Sequence, residues 1–78
     1  MHIENLIHMA NQIGAFFKDM PDHPEALEGA AQHIKKFWEP RMRRALLAHV
    51  DNGGAELGPF IREAIDTHRE LLEPLVRA

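Results

Sequence analysis

The chain has 78 residues, is 45% apolar, carries a formal net charge of −3 and contains no cysteine. One domain of this length has a thin core, which typically yields only ~3–5 kcal/mol of net stability, and no disulfide can supplement it. The lack of thiols excludes thiolate-ligated iron–sulfur clusters, and the longest apolar run, Ala45-Leu46-Leu47-Ala48, is far short of the ~20 residues a membrane-spanning helix needs.

The first turn, Met1-His2-Ile3-Glu4, lacks the basic and apolar regions of a secretory signal, so a soluble, cytoplasmic protein with no membrane partner is expected. From Ile3 the residues Leu6, Ile7, Ala10, Ile13, Gly14 and Phe17 recur at spacings of three and four, which predicts a helix over about 2–19. Ala10 and Gly14 thin its apolar face for close approach by another helix. Met20-Pro21 ends it, because the residue before proline is pushed out of helical geometry.

Asp22-His23-Pro24-Glu25 opens a second helix over about 23–38. Asp22 is placed to accept from the backbone N–H of Glu25, and Pro24 lies in the first turn, where its missing N–H is no loss. Leu27, Ala30, Ala31, Ile34, Phe37 and Trp38 form its apolar stripe. Glu39-Pro40 breaks or kinks the chain. A third helix follows over about 40–51 and stops at Asp51-Asn52-Gly53-Gly54, where glycine is available for a left-handed cap. Gly58-Pro59 begins a fourth over about 59–76, in which Ile61, Ile65, His68, Leu72 and Leu75 repeat with coiled-coil-like spacing. That stripe permits packing on its own bundle or pairing with another chain. Arg62–Asp66 and Arg69–Glu73 are ion pairs one turn apart.

No segment alternates with period two. The expected fold is all-α: a single domain over 1–78, a small antiparallel bundle of about four helices with one break at Pro40.

Charge is unevenly spread. Residues 1–34 sum to −4, residues 35–44 to +4 and residues 45–78 to −3. The basic stretch holds Phe37-Trp38-Glu39-Pro40-Arg41-Met42-Arg43-Arg44. Trp and Arg are enriched at interface hot spots, and guanidinium forks suit carboxylate or phosphate. The alternative is that Phe37 and Trp38 are core and the arginines a solvated face; different edges of one indole can serve both roles. An acidic chain with one short basic stretch and no helix-turn-helix or zinc-finger pattern argues against nucleic acid.

The six histidines are scattered, with no H-x-x-x-H or H-E-x-x-H spacing, so no metal site is expected. His68, interrupting an apolar stripe, reads as half-buried and hydrogen-bonded. Catalytic equipment is poor: there is no Cys, Ser or Tyr, and Thr67 is the only side-chain hydroxyl. No catalytic residue is assigned. Adhesion to a partner is the expected work.

Met9-Ala10-Asn11-Gln12-Ile13-Gly14-Ala15-Phe16-Phe17, followed by Phe37-Trp38-Glu39-Pro40-Arg41-Met42-Arg43, resembles the delta subunit of NAD-dependent, molybdenum-containing formate dehydrogenases. The resemblance extends through Asp51-Asn52-Gly53-Gly54 to the Pro59 region; the tail from about Thr67 is least diagnostic. It implies a non-catalytic accessory subunit that binds the large alpha subunit and supports assembly, maturation or stability of the complex. It also implies that this chain alone binds no cofactor. Molybdenum-pterin and iron–sulfur clusters would belong to the alpha subunit, and flavin, further clusters and NAD reduction to beta and gamma subunits.

Combined with the residue reading, the expected partner contacts are Phe37, Trp38, Pro40, Arg41, Arg43 and Arg44. Asn11, Gln12 and Phe16 form a second edge, because Asn11 and Gln12 are uncharged polar groups beside an apolar stripe. The isolated chain is also free to self-associate. The competing reading is a free-standing helical regulator or adaptor that binds another protein or nucleic acid.

Overall fold

The computed structural model describes residues 2–74. Among the described residues there are five helices: α1 Ile3–Phe17, α2 His23–Phe37, α3 Pro40–Asp51, α4 Pro59–Thr67 and α5 Arg69–Leu72. Among the described residues there is no strand, and the all-α expectation holds.

The punctuation follows local chemistry. Asp22 accepts from the Glu25 backbone N–H at 3.0 Å and caps α2. Trp38 and Glu39 are both extended, with ψ of 137° and 154°, as the residues leading into Pro40 should be. That two-residue step turns the Trp38 ring inward while letting α3 start in a new direction. At the end of α3, Gly53 and Gly54 take φ of 108° and 65°. Their N–H groups close on the carbonyls of Val50 and His49.

α2 is the central element and packs against α1, α4 and α5, while α3 lies against α1 and α5. The core joins Leu6 and Ala10 of α1 to Leu27, Ala30 and Ile34 of α2. Leu46, Leu47 and Val50 of α3, Ile61 and Ile65 of α4, Leu72 and the Trp38 ring complete it. The small residues on α1 do what their spacing suggested. Gly14 is buried, and a Cβ there would stand 3.0 Å from the Ile61 Cβ, so α4 crosses α1 at the one position without a side chain. Gly29 does the same for the Phe17 ring, which lies over α2 where a Cβ would meet it at 2.9 Å.

The fourth helix departs from expectation. It stops at Thr67, His68 leaves helical geometry at φ −116° and ψ 35°, and a single turn, α5, follows. Thr67 and His68 are mediocre helix formers. The break gives Leu72 complete burial and lets Arg69 reach the end of α3. His68 is half-buried at this joint. Glu73 and Pro74 are not helical, and Leu75 of the expected stripe lies outside the described residues.

Candidate partner interface

Among the described residues, three large apolar side chains remain exposed, and all belong to α1 and the end of α2. Phe16 is 77% accessible, Phe37 68% and Met9 37%. Phe16 meets Phe17 edge-on at 5.1 Å between centroids, Phe17 lies 6.1 Å from the His33 ring, and His33 lies 4.8 Å from Phe37. The four rings therefore form one continuous band across the two helices. Met9, Gln12, Ile13, Phe16, Phe17 and His33 line an open cleft of about 380 Å³ within it.

Helical register explains the band. Met9, Ile13, Phe16 and Phe17 share one flank of α1, and Gly29, His33 and Phe37 share the facing flank of α2. Fully burying one phenylalanine side chain is worth about 1.5–3 kcal/mol, so two phenylalanines left in water are a standing incentive for association.

The expected contact residues separate into distinct positions. Phe16, Phe37 and Gln12 belong to the aromatic face. Trp38 does not: it is 5% exposed and packs in the core. Asn11 has an internal use for both ends of its amide. Its Nδ2 donates to the Glu56 carbonyl at 2.9 Å and its Oδ1 accepts from the Gly58 N–H at 2.8 Å. Asn11 thus holds the α3–α4 loop against the side of α1 turned away from the cleft.

The arginines point apart. Arg41 is exposed and shares a second cleft with Met9, His2, Asn5, Glu39 and Met42. Arg43 and Arg44 lie on the other side of α3, where they and Lys35 and Pro40 border a hollow shared with Glu70, Leu71, Glu73 and Pro74 of the α5 region. An Nη of Arg43 donates to the Leu72 carbonyl at 3.5 Å.

Sequence reasoning did not single out Met9 or His33 as part of the face. Met9 stands seven residues before Phe16, and His33 four before Phe37, so helical spacing carried the signal. Nor did it find Arg69 reaching beyond its own helix. Both Nη atoms contact the Asp51 carboxylate at 2.9 Å while Nε reaches Glu73 at 3.3 Å. This pairing with Asp51, helped by Glu73, raises the Arg69 pKa above its ordinary value. Among the described residues, no three His, Asp or Glu side chains gather as a metal-binding group, and no helix is long and apolar enough to cross a membrane.

The family described as the NADH-dependent formate dehydrogenase delta subunit, FdsD, matches residues 5–65. The chain belongs to this family. No curated protein and no solved structure matches it. The matched span of the delta subunit takes in the whole aromatic face, from Met9 to Phe37, together with Arg41. It stops within α4, before Arg69 and α5.

Proposed function

We propose that this delta subunit is a non-catalytic accessory subunit that binds the molybdenum-carrying alpha subunit of a cytoplasmic NAD-dependent formate dehydrogenase. Its work is to support assembly, maturation or stability of a complex that also contains beta and gamma subunits. The chain binds no cofactor of its own in this account; molybdenum-pterin, iron–sulfur clusters and flavin belong to its partners.

The observation that carries the reading is the aromatic face. A 78-residue domain has little core to spare, yet Phe16 and Met9 stand exposed around one cleft and Phe37 stands exposed next to His33 of the same cleft. Membership of a formate dehydrogenase subunit family makes the other subunits the natural occupants of that face.

The test is affinity purification of the tagged chain from its native cytoplasm, with mass spectrometry of what co-elutes. Near-stoichiometric recovery of the large molybdenum-containing subunit is the expected result. Recovery of nucleic acid or an unrelated protein in its place would establish the free-standing regulator instead.

A further inference from the structure

Asn52 is followed by Gly53, the one Asn-Gly pair in the sequence; Asn5 and Asn11 precede leucine and glutamine. In such a pair an asparagine side chain is most open to attack by its own backbone, because glycine has no Cβ to shield the following nitrogen. Asn52 and Gly53 are both exposed. A Cβ on Gly53 would meet nothing within 4 Å, so no neighbouring side chain screens the approach.

The folded backbone holds the pair out of reactive geometry. Ring closure needs the Asn52 Cβ and the Gly53 nitrogen eclipsed about the Asn52 Cα–C bond. Asn52 caps α3 at φ −96° and ψ 22°, which keeps them well apart. The nucleophilic nitrogen is also engaged, because the Gly53 N–H donates to the Val50 carbonyl at 3.0 Å. Further bonds fasten the same loop. The Gly54 N–H donates to the His49 carbonyl at 2.9 Å, and an Nη of Arg62 donates to the Gly53 carbonyl at 2.9 Å. The His49 ring donates to the Ala55 carbonyl at 2.7 Å, and the Asn11 amide bridges Glu56 and Gly58.

We propose that Asn52 is a deamidation site and that this set of loop bonds is its gate. When the loop opens, the Gly53 nitrogen attacks the Asn52 Cγ and gives up its proton. The bond from Cγ to the side-chain nitrogen breaks, ammonia leaves and a succinimide remains. Water then opens either C–N bond of the ring, giving aspartate or isoaspartate, and is the only co-reactant. The product does not fit the loop as asparagine does. Isoaspartate carries the main chain through its Cβ, one atom longer, which displaces the Gly53 and Gly54 N–H groups from the carbonyls at the end of α3. Either acid sets a second carboxylate beside Asp51 at the C-terminal end of a helix, where the dipole disfavours it. Deamidation therefore weakens the stop that closes α3, and a modified chain opens more readily than a fresh one.

The experiment follows deamidation of the full chain in mildly alkaline buffer by peptide mapping with mass spectrometry. The chain is incubated folded and, separately, unfolded in guanidinium chloride, with circular dichroism recording the state of each. Conversion is expected at Asn52 ahead of Asn5 and Asn11, and at least about ten-fold slower in the folded chain. Asn11→Ala and Arg62→Ala each remove loop bonds and should each raise the folded-state rate about three-fold or more. Ile34→Val lowers overall stability from within the buried face of α2 and should leave that rate unchanged. Equal rates in the folded and unfolded chain, or no conversion at Asn52 in the unfolded one, overturn the proposal. So do loop variants that convert no faster than the native chain, or a rate that rises as much with Ile34→Val as with them. If one loop variant fails to fold, the other and the native comparison still decide.

Discussion

Asn11 accepts a hydrogen bond from the Gly58 backbone N–H at 2.8 Å, across 47 residues of chain. Its amide nitrogen holds the carbonyl of Glu56, a residue in left-handed geometry at φ 68°. That conformation costs a non-glycine residue roughly 1–2 kcal/mol, which the clamp helps to offset together with the His49 ring on the Ala55 carbonyl and Arg62 on the Gly53 carbonyl. Each such bond contributes about 0.5–1.5 kcal/mol. Asn11→Ala is expected to lower unfolding free energy by about 1–3 kcal/mol. Asn11→Asp keeps the acceptor and loses the donor, so it should fall between Ala and the native chain. Urea unfolding followed by circular dichroism reads both; equal stability of all three would mean that water replaces the clamp.

The crossing of α1 by α4 depends on Gly14. Alanine there gains about 1 kcal/mol of helix propensity but sets its Cβ against the branched, fully packed Ile61. Gly14→Val cannot be accommodated without moving α4 and should cost about 1–3 kcal/mol by overpacking. Thermal melting of the two variants checks this: Val must melt below Ala. The reverse order would show that α4 shifts freely along α1.

Arg69 joins α5 to the end of α3 through its fork on Asp51. The pair is solvent-exposed, so a double-mutant cycle on Arg69→Ala and Asp51→Ala should return no more than about 1 kcal/mol, less at high salt. The Arg69 pKa is raised, so its contribution is complete below the unfolded pKa and is lost only as pH rises through the still higher folded one. Between pH 5 and 9, titration of Arg69 therefore adds no slope to stability. A coupling energy that vanished within that window would have to come from another group.

Trp38 and Phe37 are adjacent in sequence and opposite in role. Trp38→Ala removes a core ring and should cost about 3–5 kcal/mol, comparable to the whole stability of so small a domain. The variant is expected to be largely unfolded by near-UV and far-UV circular dichroism. Loss of the complex in it would then report folding, not contact. Phe37→Ala should change stability by no more than about 0.5 kcal/mol, as exposed substitutions do.

Much of this was readable from residue spacing. The Asp22 cap, the break at Pro40 and the glycine stop after α3 were local chemistry and formed as expected. The small side of α1 was legible too, though not that Ile61 would be its neighbour. What spacing could not resolve was which of two adjacent aromatics turns inward, because that depends on the two extended residues before Pro40. It equally could not show that Asn11 has partners 45 and 47 residues away. Of the pattern that ran through His68, Ile61, Ile65 and Leu72 are buried as an apolar stripe requires, and Leu75 lies outside the described residues. The pattern did not show the break at His68, which lets Arg69 reach Asp51, 18 residues earlier.

In the proposed function, the aromatic face of α1 and α2 is where this subunit meets its enzyme. The most direct measurement is the affinity of the purified alpha subunit for the native chain and for Phe37→Ala, with melting curves of both chains recorded alongside. The account predicts unchanged melting and at least about thirty-fold weaker binding, the mark of a hot-spot residue worth ~2 kcal/mol or more. Equal affinity in an equally folded variant would contradict it.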